Sequence, residues 1–302
     1  MNSLVTRKNR RGWIKALWIP WSYLILSAVL SAALSYPLYR LFGEGDISFF
    51  RSLVSRIGQG LLLLGLFPIS RWLGLKRPEF GLKKSPFSGI LKGFGLGVLT
   101  LGLHGLYLVH IGVRTPQIPE FGLIHLALVS LSAAGAGFGV ALLEETLFRG
   151  ALIAILIRLS GPRTAILISA LDYAALHFIG TYWTTDPALV GWDTGFRIAL
   201  DGFAHLPAAD PGSFLALFLA GVLLGTARIF FRGGLFFSIG LHAGWVFVIK
   251  IFKPLTLLQP LSPWIFWIGS YDQVIGYLSC TWLLLLLTLI YLYPNRFQTP
   301  SV

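Results

Sequence analysis

WLLLLLTLIYL, residues 282–292, decides the architecture. Its apolar residues follow one another without alternation. A strand of a membrane barrel would show one face to lipid and the other to a lumen, residue by residue. Extended back to Val274, the run reaches the roughly 20 residues that carry a helix across a hydrocarbon layer of ~30 Å. A helix satisfies its own backbone hydrogen bonds, which lipid cannot do for it. Similar runs recur along the whole chain. Of its 302 residues 55% are hydrophobic and only 12% charged, with a mean hydropathy of +0.75. Soluble domains carry about 25% charged residues. The fold class expected is therefore all-α, a polytopic transmembrane helical bundle.

Outward from this run, the chain divides into about eight spans. Arg7, Lys8, Arg10 and Arg11 precede the apolar stretch Trp13–Leu38. That stretch has the shape of a signal peptide, but its core exceeds the usual ~7–15 residues. It is read as a retained first helix. A second helix covers about Ile57–Leu73 and a third Gly93–Val113. Between them lies a basic loop containing Arg71, Lys76, Arg77, Lys83, Lys84 and Lys92. Arg114–Glu120, with Pro116 and Pro119, is a second loop. Phe121–Leu159 is too long for one simple span, and Gly135, Gly137 and Gly139 either kink it or permit close packing. After the Ser160–Pro162 turn come helices at about Arg163–Phe178, Ser213–Phe231, Gly234–Phe252 and Val274–Leu292. Gly180–Gly212 reads as a long polar loop. The expected division is 1–120 for the N-terminal helices with their basic loop, 121–252 for a helical core and 253–302 for the C-terminal helix, all in one integral membrane domain.

The formal charge of +12 fits membrane orientation better than nucleic acid. With an inward N-terminus and alternating spans, most Lys and Arg, including Arg228, Arg232 and Arg296, fall on the inner side. This is the bias expected of cytoplasmic loops. The expected location is a multi-pass protein of the cell (plasma) membrane with a cytoplasmic N-terminus; its partner is the lipid bilayer, and no nucleic acid is expected. The single cysteine, Cys280, excludes an intrachain disulfide.

Ionisable side chains inside apolar spans are costly and mark function by default. Glu144, Glu145 and Arg149 form such a cluster. Glu145 and Arg149, at i and i+4, can pair on one helical face; Glu144 points about 100° away. His177 follows an apolar run with Tyr173 one turn before it, and His242 lies in a third apolar run. Each alone is compatible with helix packing. Together they are groups that activate water and stabilise an oxyanion. Glu144 and His177 lie ~24 and ~22 Å along their helices from the turn at 160–162, at similar depth. His242 lies only ~12–15 Å from its own turn, so tilt must supply the difference. Asp172 either supports this group or pairs with an arginine.

This set resembles the CPBP family, the type II CAAX prenyl endopeptidases and bacteriocin-processing (Abi) proteins. Glu144, Glu145 and Arg149 match its Glu-Glu-x-x-x-Arg motif. Tyr173 and His177 match Phe-x-x-x-His with Tyr for Phe, and Phe218, Gly221 and Gly225 match a Phe/Gly-rich helix. His242 opens the last motif, but Val246 stands where Asn is common. The resemblance implies an intramembrane endopeptidase acting on a peptide or a membrane protein, which in this family can be lipidated. Carried over, Glu144 is the base, His177 positions water, His242 donates to the oxyanion, and Glu145, Arg149 and Tyr173 support. No cofactor is expected; the alternative is zinc held by Glu144, His177 and His242, though no His-Glu-x-x-His spacing occurs. Competing functions are a non-catalytic scaffold or immunity-type protein, which Val246 favours, and a transporter, against which the lack of internal repeats counts.

Overall fold

The computed structural model describes residues 2–43, 45–82, 86–117 and 122–293. Lys83, Lys84, Pro119, Glu120 and Arg296, used in the loop and charge assignments, lie outside them. The fold is an all-α bundle. In order it contains α1 (Asn2–Phe42), α2 (Ile47–Leu64), α3 (Leu66–Trp72), α4 (Pro86–His110), α5 (Leu123–Glu145), a π-helical turn (Thr146–Leu152), α6 (Ile153–Ser160), α7 (Pro162–Leu176), α8 (Thr194–Ala204), α9 (Pro211–Phe230), α10 (Gly234–Phe252) and α11 (Tyr277–Leu292). One small sheet pairs β1 (Arg114–Pro116) with β2 (Thr256–Leu258), antiparallel, Thr115 opposite Leu257.

Six helical stretches among the described residues are long and apolar enough to cross a membrane: 14–42, 47–72, 87–110, 126–160, 211–230 and 234–252. These six are the full-length candidates among the about eight spans expected. The two remaining apolar helices, α7 and α11, have 15 and 16 residues, or about 22–24 Å, short of a full hydrocarbon layer. Two boundaries also differ. The first helix includes the basic residues before Trp13 and continues to Phe42. The expected loop 180–212 contains α8, whose buried Gly195, Ile198 and Gly202 recur at helical spacing. Its exposed Asp193–Arg197 pair and its Asp201 conceal that period.

Glycine sets the closest helix contact. On α4, a Cβ at Gly93 or Gly97 would strike the carbonyls of Phe237 or Leu241 on α10; on α10, one at Gly240 or Gly244 would strike those of Ile90 or Phe94. Both helices thus present glycines at i, i+4 to each other, the small-residue packing of membrane helices. Gly137 plays the same part between α5 and the Ala243 carbonyl, whereas Gly135 and Gly139 face open space. None of the three breaks α5. The irregularity comes later, in the π turn.

The loops sort to two ends. At one, Arg158 donates to Leu73 O, Gly74 O and Glu79, Arg228 donates to Glu79 O, and Leu235 N donates to Gly81 O. At the other, Arg114 donates to Thr256 Oγ1 (2.7 Å), Thr256 O (3.0 Å) and Gln273 O (3.0 Å).

Candidate active site

Glu144 and Glu145 end α5, and the π turn begins with the next residue. A π turn inserts an extra residue per turn and recurs at functional sites. Here it carries Arg149, which pairs with Glu145 at i, i+4. The two carboxylates have opposite surroundings. Glu145 is fully buried and saturated: Arg149 Nη1 lies 3.2 Å away, Ser238 Oγ donates to it, and His242 Nδ1 is at 3.0 Å. Arg149, also fully buried, lays its guanidinium over the Tyr173 ring at 4.2 Å and the Phe148 ring at 5.5 Å. A buried charge needs such compensation.

Glu144 has no such set. Its Oε2 has no hydrogen-bond partner and faces His177 Nε2 at 3.8 Å and His242 Nε2 at 3.9 Å. His177 follows the last residue of α7 and turns back on it, its Nδ1 2.7 Å from the Tyr173 carbonyl. A carbonyl only accepts, so Nδ1 carries the hydrogen. His242 Nδ1 likewise donates to the Glu145 carboxylate. In their neutral forms both rings therefore present bare Nε2 lone pairs toward Glu144. Three acceptors converge with no donor among them, an arrangement that a water's two hydrogens or a shared proton satisfies.

The three helices named in sequence thus meet: Glu144, His177 and His242 form one cluster, with Glu145, Arg149 and Tyr173 directly behind it. Tyr173 packs on His177 (centroids 4.4 Å) and near His242 (6.1 Å). Gly221 and Gly225 let α9 approach Ala170 and Ile166 of α7, which fixes α7. Asp172 does neither of the things considered for it; it faces Trp21 of α1, lining a small apolar cavity away from Glu144.

Two larger cavities adjoin the cluster. One, about 480 Å³, runs among α4, α9, α10 and α11 and is lined by His242, Val246, Trp245 and Tyr173 among others. The other, about 450 Å³, lies against α1, α2 and α8 and includes Ser27, Ser31 and Gln59. Glu144, His177 and Tyr271 line both. No group of three or more His, Cys, Asp and Glu among the described residues could hold a metal ion.

Residues 126–248 match the family model of type II CAAX prenyl endopeptidase Rce1-like proteins. This segment is a CAAX-protease-like (CPBP) core. It holds every residue of the cluster, and together with the six long apolar helices it supports an integral multi-pass membrane protein. No curated protein and no solved structure matches. Two contributors to the CAAX-protease-like site had no motif to mark them. Ser238 stands one helical turn before His242, a polar residue at i−4 in an apolar run, which is a usable signal. Tyr271 comes from the irregular segment after α10, outside the matched core, where spacing carries no information.

Proposed function

We propose that the protein is an intramembrane endopeptidase in which Glu144 activates water to hydrolyse a peptide bond of a peptide or membrane-protein substrate. One observation carries this: a carboxylate oxygen without a hydrogen-bond partner faces two imidazole Nε2 atoms where two cavities meet. A water donating to Glu144 and His177 Nε2 is held with its lone pair free. Its oxygen bonds to the scissile carbonyl carbon as its proton passes to Glu144, and the carbonyl π pair moves onto oxygen. Collapse returns that pair, breaks the C–N bond, and delivers the proton from Glu144 to the departing amine. His242 donates to the oxyanion only as an imidazolium, because its Nδ1 hydrogen is committed to Glu145.

The test uses purified protein in detergent with a proteome-derived peptide library, unmodified and with farnesylated cysteines, and new termini read by mass spectrometry. Wild type should cut and Glu144→Gln should not. Equal, background cutting by both variants overturns the reading and leaves the scaffold that Val246 favours. A chelator is expected to leave cutting unchanged; loss, with recovery on added zinc, would replace water activation by glutamate with activation by metal.

A further inference from the structure

The site as built lacks a donor for the developing oxyanion. Neutral His177 and His242 expose acceptors, and Val246, one turn after His242 on the cavity wall, has no polar atom. Most other donors on that wall are engaged. Trp245 Nε1 donates to Thr100 Oγ1 (3.1 Å), Thr100 Oγ1 to the Leu96 carbonyl (2.8 Å), and Trp282 Nε1 to the Thr100 carbonyl (3.0 Å). His104 Nε2 bonds the Val274 carbonyl (3.1 Å), and Ser279 Oγ lies between His104 and Gly276 N. Lys250 and Lys253 lie ~12 and ~17 Å beyond His242 along α10. Ser279 lines this cavity alone, whereas the phenols packed on His177 are Tyr173 and Tyr271. Tyr173 lines one cavity only and its ring is clamped by Arg149, Phe148 and His177. Tyr271 lines both, as only Glu144 and His177 also do among the lining residues.

Resting on the peptidase reading, we infer that Tyr271 is a catalytic residue of this chain, its phenol O–H donating to the carbonyl oxygen of the scissile bond in the place left empty by Val246. Glu144 and Tyr271 both line the junction of the two cavities, through which such a bond would be threaded. The ring is fixed for this task. It packs against His177 at 5.8 Å and Phe178 at 5.5 Å. Its own N–H reaches Ser213 Oγ at 3.4 Å. The next residues are pinned: Asp272 Oδ1 accepts from Val274 N and Ile275 N, both at 2.9 Å, Arg114 holds the Gln273 carbonyl, and Gly269 N donates to Ile275 O at 2.7 Å. Gln273 takes φ 62°, the positive-φ non-glycine residue of the described chain. Such backbone persists where its surroundings over-determine it. Burial and the nearby Glu144 and Asp272 charges push the phenol up to about 12, so it stays in its donor form at working pH. In the step, the hydrogen bond shortens as the π pair moves onto the carbonyl oxygen and relaxes on collapse; the phenol keeps its proton.

The test is kinetic, on a peptide identified in the library assay. Tyr271→Phe keeps the ring and removes the donor; kcat should fall ~10²-fold with KM nearly unchanged. Val246→Asn added to Tyr271→Phe should recover at least ~10-fold, a rescue that a loop held merely for structure would not give. Wild-type kcat in Tyr271→Phe, while Glu144→Gln is dead, overturns the inference and leaves the peptidase reading standing. A ~10²-fold loss in Tyr173→Phe beside an active Tyr271→Phe assigns the donor to Tyr173 instead. Loss without rescue by Val246→Asn overturns the replacement. If Glu144→Gln matches wild type, the peptidase reading itself falls.

Discussion

Two adjacent glutamates in the same helical turn have opposite surroundings, and the difference lies in their partners. Glu145 touches Arg149, Ser238 and His242; Glu144 meets only lone pairs. Glu145→Gln removes the counter-charge of a fully buried arginine, which costs about 3–5 kcal/mol. It should lower the unfolding midpoint in detergent and the yield of folded protein. Glu144→Gln should leave the midpoint near wild type and cut turnover ~10²–10⁴-fold. The reverse pattern would exchange the two roles. Tyr271 adds a pH signature. A phenol raised to about 12 is protonated at every pH below that, so the ratio of wild-type to Tyr271→Phe kcat should stay constant from pH 6 to pH 9. A ratio that collapses within that window would mean the donor titrates there. Glu144, His177 and His242 were legible in sequence because charge and imidazole are costly in apolar runs. Ser238 and Tyr271 were not, because a hydroxyl is cheap in such a run and a loop residue has no period.

At the scale of the element, the helices were legible as apolar runs, but their faces were not. The Gly135, Gly137 and Gly139 series looks like one feature; only Gly137 meets a neighbour. The π turn has no sequence signature here, since Thr146–Leu152 is compatible with ordinary helix. The α4–α10 contact gives the sharper test, because it holds the helix that carries His242. Gly240→Ala drives a methyl into the Ile90 carbonyl, backbone that cannot turn aside. Overpacking of this kind costs about 1–3 kcal/mol, and the thermal midpoint should fall. Gly95→Ala on α4 meets nothing within 4 Å and removes a poor helix former, so its midpoint should hold or rise slightly. Equal effects from the two would mean that helix propensity, not the close approach, governs this pair.

The whole molecule has a basic end and, on the proposed function, a catalytic end. Gly12 of α1 abuts the Leu159 carbonyl, so the start of α1 joins the end where Arg158 and Arg228 hold residues 73–81. Arg71, Lys76, Arg77 and Arg163 belong there too, which preserves the charge asymmetry read from sequence although the number of full spans is smaller. His177 and Tyr271, with both cavities, lie toward the opposite end, where Arg114 ties β2 to the 273 turn. Charge alone does not give the direction of the cavity mouth, because it says nothing of which end α7 and α10 carry their histidines toward. Short α7, ending at Leu176, puts His177 near that surface. Since Lys and Arg collect on the cytoplasmic side, the mouth should face away from the cytoplasm. Cys280, 4% exposed, is the chain's only cysteine, so a Cys280→Ala background suits single-cysteine mapping. In intact cells an impermeant maleimide should label Thr184→Cys and Leu261→Cys, both exposed near the catalytic end, and should reach Lys76→Cys only after the membrane is opened. Labelling of Lys76→Cys alone would invert the protein and turn its catalytic end to the cytoplasm. Labelling of all three in intact cells would break the two-ended arrangement itself.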